Sequence, residues 1–141
     1  MEAIVYHGAS TALQTTIDLS AGSKFSGWEI TCFGLPASGQ LFESGSFQQS
    51  YRIEREGTPI FIDRLQVNAT DHALLKGFAD MQGFTVSGFI IAGSFEDILL
   101  ETLIDSLREK VHGLNIQKTV SITQLEDFLV VRYLGDSAFQ C

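Results

Sequence analysis

Leu13, Thr15, Ile17 and Leu19 fall on one side of an extended chain, and Gln14, Thr16, Asp18 and Ser20 on the other. A period of two is the signature of a half-buried β-strand, which needs lateral partners and a covered face. This beat commits the first half of the chain to sheet. Ala3 to Tyr6 reads as a short strand ending at His7-Gly8. Ser20 to Ser23 reads as a turn. Trp28, Ile30 and Cys32 then alternate with Glu29, Thr31 and Phe33, and Gly34-Leu-Pro-Ala-Ser-Gly39 breaks that strand. Phe47, Tyr51, Ile53 and Arg55 resume the beat. Glu56-Gly-Thr-Pro59 closes a hairpin through Gly57, and Ile60 to Val67 returns, apolar on both sides at its start and so expected to be covered on both faces there.

The second half changes period. Phe84 to Ala92 is a strand, after which Ser94 is the expected N-cap of a helix with Glu96 and Asp97 in its first turn. Leu100, Leu103, Ile104, Leu107 and Val111 share one face at helical spacing, and Gly113 is the expected stop, with Lys110 and His112 in the last turn. Ile116 to Ile122 and Phe128 to Leu134 complete the strands. The expected fold is therefore mainly β, of α+β class: a multi-stranded antiparallel region over 1–68, then a strand–helix–strand–strand layer over 84–141 with one long amphipathic helix. At 141 residues these form a single domain.

Composition narrows the function. With 45% hydrophobic residues and 11 Phe the chain has material for a core. Its net charge of −8, with no Lys/Arg cluster, argues against nucleic-acid binding. No apolar run approaches membrane-spanning length, and the N-terminal residues lack a basic, then apolar, leader pattern. Two cysteines, Cys32 within a strand and Cys141 at the end, imply no disulfide framework. A cytoplasmic protein is the expectation. Cys32 lies on the Trp28/Ile30 face and reads as a buried thiol acting as a small hydrophobe.

No catalytic constellation stands out. Gly34 to Gly39 has phosphate-loop glycine spacing, but Gln40-Leu41 follows where lysine and a hydroxyl residue are required, so the stretch reads as a structural turn. His7, His72 and His112 are far apart, with no paired-ligand spacing. There is no Gly-x-Ser-x-Gly elbow. Asp97, Glu101 and Asp105 recur at i+4, as a solvated helix face that also suits a basic partner. The strand carboxylates Glu29, Glu54 and Asp63 leave open a small hydrolase or isomerase, which needs Glu29 or Asp63 in a closed pocket beside another titratable group.

Trp28-Glu29, Gly34, Pro36, Gly39 and Asp63-Arg64-Leu65 carry a further signal, with Glu2 to Gly8 upstream and Phe128 to Gly135 downstream. In order and spacing they resemble the urease accessory protein UreD (UreH) family over nearly the whole chain. That family is longer, and this chain looks like its middle-to-late portion, with a first strand that presents an open edge. The resemblance implies a non-enzymatic scaffold that binds UreF-like and UreG-like accessory proteins and apo-urease while nickel passes to the urease active site. It marks Gly34, Pro36, Ser38, Gly39 and Gln40 as a family turn, and Asp97, Glu101 and Asp105 become a candidate partner surface. It implies no bound cofactor beyond nickel in transit. Two positions depart from the family pattern: Leu35 stands for its Arg and Gln40 for its Glu.

Overall fold

The computed structural model describes residues 2–70 and 81–137. His72 and Cys141 lie outside them. The strands are β1 (Glu2–Val5), β2 (Ser10–Leu19), β3 (Phe25–Leu35), β4 (Gln40–Leu41), β5 (Ser46–Arg55), β6 (Thr58–Asn68), β7 (Val86–Gly93), β8 (Val120–Leu125) and β9 (Phe128–Gly135). The helix α1 covers Asp97–Gly113. Among the described residues the fold is mainly β with one long helix, as the two periodicities imply.

Two sheets share the strands. The larger runs β1-β3-β7-β9-β8, with β4 paired to the end of β3, and the smaller runs β2-β5-β6. Pairing is mixed where sequence order suggests antiparallel hairpins. β1 lies parallel to β3, and β2 parallel to β5. The chain thus alternates between sheets, β1 to β2 and then β3 to β5, and the second pass stacks on the first as one coil of a solenoid does on another. From β6 onward all pairing is antiparallel.

The sheets face each other across a core in two parts. One holds Val5, Phe33, Phe42, Phe47 and Val67. The other holds Tyr51, Ile53, Phe61, Phe89, Ile91, Phe128 and Val130. The helix lies on the opposite face of the large sheet, with Leu100 and Ile104 packed against Ile122 and Leu129.

Several local expectations change. Ser94 does not cap α1; Glu96 occupies that position without a side-chain cap bond. Ser94 instead accepts a hydrogen bond from Arg55. Gly113 is the last helical residue rather than the stop, and the left-handed turn falls on Asn115, at φ 58°. The start of β6 is not covered on both faces: Ile62, on the face opposite the buried Phe61, is exposed. A register shift between Ile53 and Glu54 of β5 leaves Ile60 unpaired and brings it alongside Phe61 at the core cluster.

An ion pair ties the far end of the sandwich. Arg55 donates to Asp127 at 3.1 Å and to Ser94, with its guanidinium 5.7 Å from the Phe128 ring centroid. Burial alone raises the Asp127 carboxyl, but hydrogen bonds from Ser94 and Arg55 and the Arg55 charge outweigh it and hold the group below its ordinary value. A lowered folded-state pKa stabilises above the unfolded value and is lost as pH falls through the folded one. Asp127→Asn is therefore expected to cost about 1 kcal/mol, after allowance for solvent screening of a part-exposed pair. Denaturant melts should show the full difference from the parent above about pH 5, shrinking toward pH 3. A gap that widens on acidification contradicts this assignment.

Candidate functional site

The two core clusters are separated by a polar layer, and the strand register explains it. On the small sheet Thr15, Tyr51 and Asp63 stand in one row across β2, β5 and β6. On the large sheet Glu29, Phe89 and Arg132 stand in one row across β3, β7 and β9. Both rows face inward. Glu29 is 5% exposed and Thr31 2%. Thr15 Oγ1 donates to Glu29 Oε1 at 3.0 Å, and Gln49 Nε2 donates to Glu29 Oε2. Arg132 grips Asp63 with both terminal nitrogens, at 3.1 and 2.9 Å.

Glu29 is the costly member. A carboxylate loses several kcal/mol of hydration when buried, and two neutral donors recover only part of that. Among the described residues no cation is paired with it. Burial raises the Tyr51 phenol, and the nearby Glu29 charge adds to the shift.

β3 also turns the reverse way from the one its apolar residues suggest. Glu29, Thr31 and Phe33 face in, while Trp28 is 57% exposed and Cys32 only half-buried. Burial and then the Glu2 charge raise the Cys32 thiol. Ile4 and Ile90 are exposed on the same face.

Beside the polar layer is a cleft of about 380 Å³, lined by Gln49, Asp63, Phe89, Lys118 and Arg132 among others. Gln49 both donates to Glu29 and lines the cleft, so the buried carboxylate lies one side chain inside it. The cleft places Asp63 among other titratable groups, Arg64, Lys118, Arg132 and Tyr133, and Arg132 holds both Asp63 oxygens. Glu29 does not line it. Glu54 is paired with Arg52 elsewhere on β5. The three strand carboxylates are not assembled into an acid/base pair.

The remaining sequence candidates lie apart from this layer. Gly34 sits in β3 at φ 79°, where a Cβ would lie 2.5 Å from the Gln40 carbonyl oxygen. Pro36 and Ser38 bound a short 3₁₀ turn, whose first position suits a residue without an N–H. Gly39 follows in left-handed conformation, and Gln40 begins β4. Leu35 and Gln40 are cross-strand partners, so a charged pair at those positions would meet across the ladder. Asp97, Glu101 and Asp105 are all exposed on α1. His7 contacts Ser44 at 3.1 Å, and His112 is exposed in the last turn of α1. Among the described residues no three His, Cys, Asp or Glu side chains cluster in a way that could hold a metal ion. None of the described helices is long and apolar enough to cross a membrane.

The geometry defines a two-sheet β protein with a polar layer through its interior, a cleft beside that layer and an acidic helix on the outside. A model of the UreD urease accessory protein family matches residues 1–141. The urease accessory protein UreD of Marinomonas sp. (strain MWYL1) is 34% identical over 145 residues, covering 99% of this chain and 46% of the relative. Its counterpart in Psychromonas ingrahamii is 34% identical over 152 residues, covering 99% and 48%. That of Alcanivorax borkumensis is 32% identical over 135 residues, covering 95% and 44%. The chain belongs to the UreD urease accessory protein family. It spans less than half the length of these curated relatives.

Proposed function

We propose that this chain is a non-catalytic scaffold of urease maturation, which binds apo-urease together with UreF-like and UreG-like accessory proteins and assists nickel insertion in the cytoplasm. The observation that carries the reading is the family match along the whole chain, with relatives whose own name is urease accessory protein. The site is compatible with it. Asp63 is neutralised by Arg132 and Glu29 is enclosed, so neither is free to act as a general base. Carboxylate, amide and hydroxyl oxygens along the polar layer suit brief contact with a divalent cargo ion better than tight retention, for which imidazole or thiolate ligands are the stronger choice.

The exposed acidic row Asp97, Glu101 and Asp105 is the surface we assign to an accessory partner. Replacing Glu101 and Asp105 by Lys is expected to reduce capture of a UreF-like protein roughly tenfold, as loss of electrostatic complementarity does. The fold should be unaffected, because both side chains are solvated. A pull-down from cells expressing the urease proteins measures this. Undiminished capture removes the helix from the partner surface, and absence of all urease proteins from the parent pull-down removes the scaffold reading.

A further inference from the structure

The two ends of α1 are closed by different means. At the C-terminal end the local backbone closes it: Leu114 donates to the Lys110 carbonyl at 2.9 Å, Asn115 to His112 at 3.0 Å and Ile116 to Val111 at 3.2 Å. The N-terminal end has no such closure. Glu96 stands at the cap position without a side-chain bond to the first turn. Ile98 and Leu99, 82% and 50% exposed, add little packing there, and the buried face of the helix begins at Leu100.

What holds the entry comes from elsewhere in the chain. Phe95 donates its N–H to the Asp127 carbonyl at 3.0 Å, which ties the entry to the β8–β9 turn. Arg55, the last residue of β5, reaches both from the smaller sheet. One terminal nitrogen donates to the Asp127 carboxylate at 3.1 Å and the other to Ser94 Oγ. Its Nε, in contrast, is buried with no hydrogen-bond partner among the described residues. A buried unmatched donor is unfavourable. Lysine would neutralise Asp127 without one, but an ammonium lacks the planar fork that holds two acceptors in fixed directions. Neutralisation alone does not account for an arginine here; holding Ser94 and Asp127 together does.

We propose that Arg55 is a positioning residue for α1. It fixes the direction in which the helix leaves the sandwich, and so the presentation of Asp97 and Glu101. This role rests on the reading of α1 as an accessory-partner surface. Leu100 and Ile104 hold the body of the helix against Ile122 and Leu129, so the control exerted by Arg55 is confined to the entry and first turn. It acts on binding through order: a turn that must be fixed on docking costs affinity that a turn already fixed does not.

Ser94→Ala and Arg55→Lys each break the fork while leaving a positive charge beside Asp127. Amide exchange on the chain alone reads the anchoring. The amides of Phe95 and Leu100, bonded to the carbonyls of Asp127 and Glu96, should exchange at least roughly tenfold faster in both variants. Those of Ile104 to Val111 should keep the parent rate. Capture of a UreF-like protein should fall roughly three- to tenfold, with the melting temperature within a few degrees of the parent. If Arg55→Lys is misfolded by circular dichroism, Ser94→Ala decides alone. A merely structural arginine would instead lower melting temperature and capture together and speed exchange throughout the helix. That pattern overturns the proposal, as does unchanged exchange at Phe95 and Leu100 in either folded variant. Faster exchange with undiminished capture also overturns it where Glu101→Lys with Asp105→Lys lowers capture. If that pair leaves capture undiminished as well, the partner surface itself is lost and the positioning role with it.

Discussion

Gly45→Ala is expected to destabilise the protein by about 4 kcal/mol, enough to lower the melting temperature by roughly 10–15 °C in a domain of this size. Gly45 lies just before β5, where the chain crosses the start of β2. Its φ is 111°, and an added Cβ would lie 2.1 Å from the Ala9 carbonyl oxygen. That oxygen cannot step aside cheaply, because it accepts the first ladder bond of β2–β5 from Ser46. The Gly45 carbonyl in turn accepts from Ala69 at 3.1 Å, beyond the end of β6. One glycine thus sets the register of all three strands of the small sheet, and Phe47, fully buried two residues later, depends on it. Gly39→Ala is the control. Gly39 is also left-handed, but nothing lies within 4 Å of its added Cβ, so only about 1 kcal/mol of backbone strain is expected. Thermal melts of the two variants separate steric from conformational cost. Equal shifts contradict the role given to Gly45.

Much of this architecture was legible because each element carries its own period. β2 and β5 announce themselves by alternation, and α1 by Leu100, Ile104 and Leu107. What local pattern does not carry is which strands become neighbours. β1 and β2 look like the arms of a hairpin, yet they enter different sheets and pair in parallel with strands two or more elements later. The facing of β3 was illegible for the same reason. Trp28, Ile30 and Cys32 make the more apolar side, but Thr15 and Gln49 supply hydrogen bonds that let Glu29 face inward, and their proximity exists only once β2 and β5 are paired. Glu29 and Asp63 could be named as strand carboxylates. That one is held by neutral donors and the other locked by Arg132, 69 residues away, depends on tertiary register. Ser94 shows the converse case, a residue with good local capping chemistry diverted by a long-range arginine.

Glu29→Gln is expected to leave the melting temperature within a few degrees of the parent and to reduce urease activation in cells by more than roughly tenfold. The first half follows from the geometry around the carboxylate, and the second from the proposed passage of a cation along the polar layer. The amide has the same shape and can still accept from Thr15, while the Gln49 amide can rotate so that its oxygen faces the new NH₂ group. The hydrogen-bond count is preserved and a buried charge is removed, two changes that together come close to neutral for stability. Glu29→Leu should behave differently. It leaves the Thr15 hydroxyl and the Gln49 amide without an acceptor in a part-buried layer, at about 1–3 kcal/mol each, offset in part by relief of the buried charge. If Glu29 is retained only for packing, activation should follow stability, with Gln harmless and Leu harmful. If its charge serves a cation in passage, Gln is as damaging as Leu to activation although the protein stays folded, because a neutral amide is a much weaker partner for a divalent ion. Thermal melts and urease activation assays on both variants distinguish these cases. Normal activation by a folded Glu29→Gln protein removes the polar layer from the proposed function and leaves the accessory role to the surface alone.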